Sequence, residues 1–189
     1  MYWNTTFLLS FIYFISFSQL ANGDDIVEWS ETRSLECSDF LAEPEPASPY
    51  AAACVFALHI NFEQTEYLKV ILLVQANFFK SKSWIKCKSR TKINIKYVLK
   101  HEQLHFDIVE LIARRYRKKI LQKNFENPKV AEIYCQNLHD IMVNKLDSIQ
   151  ELYDKETKYT IDQEKWNQKV SRELIEYQEY ANPKIEINF

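Results

Sequence analysis

The chain has 189 residues, of which 47% are hydrophobic and 26% charged, which is enough for one globular domain with its own core. Its formal net charge is -2 and it has no block of basic residues, so nucleic acid is excluded as an expected partner. Gly23 is the only glycine, so turns in the rest of the chain must rely on Asn, Asp and Pro.

The N-terminal segment is typical of a secretory signal peptide. Residues 7–17 are apolar, and Ala21 and Gly23 place small residues at a cleavage site before Asp24. The segment lacks an early Lys or Arg, so an uncleaved membrane anchor is the alternative, although a spanning helix needs roughly 20 apolar residues. We predict a signal peptide over 1–23, one domain over 24–189, no membrane span after cleavage, and a secreted or periplasmic protein.

Four cysteines follow the predicted signal peptide. Cys37, Cys54, Cys87 and Cys135 permit two disulfides in an exported protein, with three connectivities. Cys54 lies in an apolar run and also fits a buried free thiol. No C-x-x-C spacing occurs, which argues against a cysteine zinc site.

Strand patterns precede helix patterns along the chain. Residues 26–40 predict one or two short strands, and 51–62 and 67–79 predict a hairpin with a polar turn at 63–66. Helices are predicted over 94–123, from Pro128 onward, and over 162–180. This order predicts an α+β fold, with N-terminal antiparallel strands followed by three segregated helices.

The first predicted helix contains an H-E-x-x-H motif, His101-Glu102-Gln103-Leu104-His105. At a period of 3.6 residues, the two histidines fall in the middle of the apolar stripe and Glu102 on its shoulder. The solvent-facing side is expected to carry Gln103, Asp107, Glu110, Arg114, Arg117 and Lys118. Core-facing imidazoles and a carboxylate need partners, and zinc would satisfy all three. The alternative is a chance match on an amphipathic helix.

The spacing of the motif suits metal chemistry. Residues four apart stack on one helix face, so His101 and His105 can reach one Zn²⁺ ion. Glu102 is then placed as general base toward a water whose pKa zinc lowers to about 7, which is the arrangement of metallopeptidases. Asp107, Glu110 or a backbone carbonyl is expected to orient a ligand histidine.

A catalytic zinc site needs a third protein ligand. On a continued second helix, Glu156 prolongs the apolar stripe of Ile149 and Tyr153, and Tyr159 lies near the same face. Asp154 is expected to point away. Glu156 is the predicted ligand, with pairing to a nearby lysine as the alternative. His59 and His139 are interpreted as structural or surface histidines.

The segment 100–108, which contains the H-E-x-x-H motif, resembles the DUF922 family, as do several other parts of the chain. This family consists mostly of uncharacterised bacterial secreted proteins predicted to be zinc-dependent proteases. The resemblance covers nearly the whole of the chain after the signal peptide and suggests a Bacteroidetes-like exported protein. It rests on 100–108, 110–114, Leu35 to Phe40, Ser83-Trp84-Ile85, Tyr153-Asp154-Lys155-Glu156-Thr157 and Trp166.

The chain departs from the family pattern Tyr-Asp-x-Glu-Thr-x-His-Gly at its last two positions, which are Tyr159 and Thr160. The family histidine at that place is the natural third ligand. Three alternatives follow: Tyr159 ligates through its phenol oxygen, Glu156 is the ligand, or tight metal binding has been lost.

The resemblance implies a zincin-like domain, and the predicted function is zinc-dependent hydrolysis of peptide bonds in a peptide or protein substrate. Zincins commonly hold the substrate along an edge strand, a role for which residues 67–79 are predicted. The main alternative is a catalytically impaired exported binding or structural protein that retains the fold. A weaker one is an amidase that acts on cell-wall or other amides.

Overall fold

The computed structural model describes residues 25–66, 69–87, 94–157 and 163–189, so the predicted signal peptide lies outside the described residues. The fold is α+β, with antiparallel strands and three helices, as predicted. In chain order the elements are β1 (Ile26–Glu28), β2 (Ala52–Ala53), β3 (Phe56–Glu66), β4 (Lys69–Phe79), β5 (Trp84–Ile85), α1 (Ile95–Leu121), α2 (Pro128–Thr157), α3 (Gln163–Glu176) and β6 (Lys184–Asn188). Short 3-10 helices cover Cys37–Asp39, Lys80–Lys82 and Gln178–Tyr180.

The main sheet is built around β4. The predicted pairing of the two strands is confirmed, because β3 and β4 are antiparallel with Ile60 opposite Val74 and Leu58 opposite Ala76. The polar turn predicted at 63–66 is wrong, because these residues belong to β3 and Glu63 pairs with Ile71. On the other side of β4, β1 and β6 pair with opposite ends of the strand, Val27 opposite Phe78 and Ile185 opposite Leu72. Strands β2 and β5 form a separate antiparallel pair.

The prediction that residues 67–79 form a substrate-binding edge strand is wrong. Strand β4 is hydrogen-bonded on both sides, so its backbone groups are already used. Strand β6 was missing from the predicted elements, and it pairs with Lys69 through Leu73 of β4. In the described part of the chain, β3 borders this sheet on one side of β4, and β1 and β6 border it on the other.

Local sequence signals fix where the long helices begin. The Asn94 side chain accepts a hydrogen bond from the Tyr97 amide at 3.2 Å, which caps α1. At α2, Asn127 accepts from the Val130 amide at 3.0 Å, and Pro128 takes the first helical position, where its missing N–H costs nothing. Both starts agree with the prediction within one residue.

Helix α1 packs across one face of the sheet and holds the other helices. Alternate residues of β4 are at most 2% exposed and face this helix: Val70, Leu72, Val74, Ala76 and Phe78. The rings of Phe56, Phe78 and Phe106 join β3, β4 and α1 at centroid distances of 5.4 to 6.3 Å. Helices α2 and α3 both contact α1, so this helix lies at the centre of the molecule.

Three residues predicted on the solvent face of α1 are buried, so that part of the prediction is wrong. Glu110, Arg114 and Arg117 are 4%, 1% and 1% exposed. The Glu110 carboxylate accepts from Arg114 at 2.9 Å and from Arg117 at 2.5 Å. Arg117 also donates a hydrogen bond to the Val74 carbonyl, and Arg114 donates one to the Leu174 carbonyl. Strand β4 and helix α3 therefore bury these guanidinium groups and also accept hydrogen bonds from them.

One disulfide joins Cys37 to Cys87, which have a sequence separation of 50 and 6.2 Å between their Cα atoms. It ties the first 3-10 helix to the segment after β5, which leads toward α1. Cys54 and Cys135 are free and buried, so the interpretation of Cys54 as a buried thiol is confirmed. Among the described residues, no helix has the length and apolar character needed to cross a membrane.

Candidate metal centre

Three side chains from two helices converge inside the molecule. His101 and His105 lie one turn apart on α1, and Asp154 comes from α2. The two Nε2 atoms are 3.0 Å apart, and Asp154 Oδ1 lies 3.1 Å from that of His101 and 2.9 Å from that of His105. These residues form the one group of three potential ligands found within the described residues.

The third member differs from the residue favoured by the sequence. The expectation that Asp154 points away is wrong, because its carboxylate contacts both histidines. Glu156 is exposed, and its Oε2 accepts a hydrogen bond from the Trp166 indole at 2.8 Å, so its observed partner is neither a metal-site histidine nor a lysine. Tyr159, the other candidate, lies outside the described residues.

The buried stripe of α2 explains this difference. Apolar residues suggested a stripe through Ile149 and Tyr153 toward Glu156. The buried positions are instead Gln150, Tyr153 and Thr157, which turns Gln150 and Asp154 toward α1. These two polar residues are four apart on the same helix, so they lie on one face and approach His105 together.

Contacts from α2 orient both histidines. The ring of Tyr153 stacks on His101, with centroids 4.6 Å apart, and lies edge-on to His105 at 4.7 Å. Gln150 makes two contacts with His105: its Oε1 lies within hydrogen-bond distance of Nδ1, and its Nε2 donates to the backbone carbonyl at 3.1 Å. Asp107 and Glu110, predicted for this role, bind Trp29 and two arginines instead.

Glu102 is the most deeply enclosed acidic group of the site. It is 0% exposed, and neither of its carboxylate oxygens has a hydrogen-bond partner among the described residues. The thiol of Cys54, in the segment before β3, is its neighbour. Burial raises the pKa of Glu102 to about 7, with His105 acting in the opposite direction.

The two histidines differ in their electrostatic surroundings. Burial lowers the pKa of His101 to about 4, although Asp154 opposes this. Burial also disfavours the charged form of His105, but the hydrogen bond and charge of Asp154 outweigh it and the pKa is raised. Burial acts to raise the pKa of Asp154, yet its hydrogen bonds with both histidines lower it to about 2.

The donor set fits a metal ion. Tetrahedral zinc with bonds near 2.0–2.1 Å separates its ligand atoms by about 3.3 Å, close to the 2.9–3.1 Å among the three atoms here. Two imidazole nitrogens and a carboxylate oxygen are ordinary zinc ligands. The buried group could therefore hold a metal ion, and its chemistry does not by itself identify the element.

The other histidines lie apart from this group. His139 Nε2 donates to the Leu58 carbonyl at 3.1 Å, which links α2 to the border strand β3. His59 lies on β3 opposite Gln75, and burial lowers its pKa. For His139 the structural interpretation is therefore supported by a specific contact.

Comparisons with known proteins identify no relative: no family model, no curated protein and no solved structure matches the chain.

Proposed function

We propose that this protein is an exported zinc-dependent metallopeptidase, with His101, His105 and Asp154 as metal ligands and Glu102 as general base. The observation that carries the proposal is the convergence of three ligand atoms within 3.1 Å of one another. We also propose that the chain is a divergent member of the DUF922 family with a zincin-like domain, in which Asp154 replaces the missing family histidine as third ligand.

Zinc is the proposed ion because two imidazoles and one carboxylate leave a fourth position for a substrate or water, as in catalytic zinc sites. When bound, zinc would polarise a peptide carbonyl and make a water more acidic. The chain's own groups supply the rest of the chemistry.

Glu102 follows the first ligand directly in sequence and is available for proton transfer. Burial raises its pKa to about 7, with His105 and the Cys54 thiol acting in the opposite direction, so both its protonated and its ionised form are accessible near neutral pH. In the proposed reaction it takes a proton from the attacking water and passes it to the leaving amine. Asp154 and the two histidines hold their positions because Tyr153 and Gln150 contact the imidazoles.

The proposed location of the peptide is along β3. Strand β4 is occupied on both sides, whereas β3 has a partner strand only on the β4 side in the described part of the chain, and His139 binds the Leu58 carbonyl of β3. The ring of Phe56, the first residue of β3, lies 6.4 Å from that of His105, so this strand begins beside the site. An extended peptide paired with β3 would therefore approach the metal ligands.

Export is supported by the Cys37–Cys87 disulfide. Disulfides form and persist in oxidising compartments, which agrees with the signal peptide predicted over residues 1–23. The proposed location is thus secreted or periplasmic.

Burial favours a second candidate, an exported module in which metal stabilises the fold without turnover. His101, Glu102 and His105 are 1%, 0% and 0% exposed, and Asp154 is the one member of the site with appreciable exposure, 23% for its side chain. A substrate carbonyl must reach the metal and Glu102 together, which requires the enclosing segments to open.

Metal content and turnover together separate the candidates. Purified protein from about Asp24 would be analysed for zinc and tested on a peptide library and a cell-wall amide, beside Glu102→Gln and the control Glu151→Gln, an exposed residue of α2. The peptidase proposal expects one zinc in all three and peptide turnover lost in Glu102→Gln alone. Zinc without turnover supports the metal-stabilised module, turnover of the non-peptide amide alone supports an amidase, and no zinc refutes all of them.

A further inference from the structure

We infer that Gln150 is a positioning residue that keeps a proton on Nδ1 of His105 and thereby leaves Nε2 to bind the metal; this rests on the proposed metal site. Gln150 is 3% exposed and belongs to α2, 45 residues from His105. Nothing in the H-E-x-x-H motif itself determines which imidazole nitrogen carries the proton.

The backbone of His105 fixes the orientation of the Gln150 side-chain amide. Its Nε2 lies 3.1 Å from the backbone carbonyl oxygen of His105, and a carbonyl can only accept a hydrogen bond. The NH₂ end of the amide must therefore face that carbonyl. The opposite end, Oε1, is left facing Nδ1 of the same histidine.

The orientation of the amide then fixes the imidazole. Because Oε1 is an acceptor, Nδ1 must carry the hydrogen, and the lone pair of the neutral ring is on Nε2. This atom is the one that lies 3.0 Å from His101 Nε2 and 2.9 Å from Asp154 Oδ1. Gln150 thus selects the protonation pattern that a metal at this point requires.

The two histidines are not equivalent in this respect. His101 Nδ1 has no hydrogen-bond partner among the described residues, so its ring is held by stacking on Tyr153 and by contacts at Nε2. His105 is therefore the ligand whose binding atom is determined by a specific hydrogen bond.

Two substitutions distinguish this role from simple core packing. Gln150→Leu removes both hydrogen bonds, whereas Gln150→Glu keeps an acceptor for Nδ1 and loses the donor to the backbone carbonyl. We expect Gln150→Leu to weaken zinc affinity about 10- to 100-fold and Gln150→Glu to remain within about threefold of the wild type. Leu146→Ala, a buried α2 residue one turn away, is the control and should retain zinc affinity despite lower stability.

The zinc dissociation constants would be measured by competition with a chromogenic chelator. The ¹⁵N chemical shifts of the His105 ring would be recorded in the metal-free proteins. The wild type and Gln150→Glu should show a protonated Nδ1, and Gln150→Leu should shift the proton toward Nε2, because the remaining acceptors, Asp154 Oδ1 and His101 Nε2, both face that atom.

Equal weakening in Gln150→Leu and Gln150→Glu would overturn the inference, as would a wild-type ring with its proton on Nε2 alone. If the wild type binds no zinc, the proposed function fails, and the ring shifts still decide the role of Gln150. If Gln150→Leu does not fold, the ring shifts of the wild type and of Gln150→Glu still decide the role of Gln150.

Discussion

Replacing Asp154 by alanine tests the candidate site most directly, with Glu156→Ala as a matched control two residues away on the same helix. The Asp154 carboxylate contacts both histidines, whereas that of Glu156 is bonded to Trp166. Structural zinc sites bind with about 10–16 kcal/mol over four ligands, or about 3 kcal/mol for each. Loss of Asp154 should therefore weaken zinc binding roughly 100-fold.

The effect can be read as a change in thermal stability. At a free zinc concentration 100 times the wild-type dissociation constant, binding stabilises the wild type by about 2.7 kcal/mol. A 100-fold weaker variant would gain only about 0.4 kcal/mol at the same concentration. The assay is calorimetric unfolding of each protein with and without zinc. If Glu156→Ala loses the stabilisation and Asp154→Ala keeps it, the geometric assignment of the third ligand is refuted.

Three further predictions concern stability in urea or guanidinium. Glu110→Gln should cost about 3–5 kcal/mol, because it leaves two buried arginine charges without their carboxylate, whereas Glu176→Gln breaks an exposed pair and should cost under about 1 kcal/mol; equal losses would contradict this. Replacing Cys37 and Cys87 by serine should cost about 4 kcal/mol for a 50-residue loop, and an unchanged unfolding midpoint would argue against the disulfide. Tyr116→Phe should cost about 1–2 kcal/mol, because the buried Cys135 carbonyl loses its donor at 2.8 Å; no loss would mean that water replaces it.

The sequence predicted those parts of the fold that depend on local signals. Asn94 and Pro128 mark the starts of α1 and α2 because capping chemistry is encoded within a few residues. The long apolar strands also predicted the β3–β4 hairpin. Strand β6 was missed although its residues alternate between polar and apolar, because it has only five of them and its partner β4 lies more than 100 residues earlier.

The errors in α1 and α2 share a physical cause. Helical projection assigns polar residues to solvent, but Glu110 and Arg117 are buried because they satisfy each other and the Val74 carbonyl. In α2, Gln150 takes a buried position where an apolar residue was expected, because both ends of its amide bind His105. Partners from distant segments decide these positions, and a single sequence does not reveal which segments meet. A polar pair four residues apart, Gln150 and Asp154, was the signal available.

Helix α1 carries two buried polar groups, and their charge balance differs. The carboxylate of Glu110 is paired with two arginines of the same helix, Arg114 and Arg117, so that cluster draws its positive charge from the chain itself. At Glu102, eight residues earlier, and at Asp154, the groups that perturb the pKa values are the two histidines, Cys54 and, for Glu102, Asp154 itself, with no lysine or arginine among them.

Two carboxyl groups and two imidazoles thus converge with no permanent positive charge supplied by the perturbing side chains. Protons supply the balance in the metal-free site, because the pKa of His105 is raised and burial raises that of Glu102 to about 7, whereas burial lowers the pKa of His101 to about 4. A divalent cation would balance the charge of the carboxylates and would occupy the point toward which the three ligand atoms are directed. A metal bound by His101, His105 and Asp154 would displace the proton from His105 and take over the role that Arg114 and Arg117 have for Glu110 about two turns further on, so the two buried clusters of α1 differ in whether the compensating charge belongs to the chain.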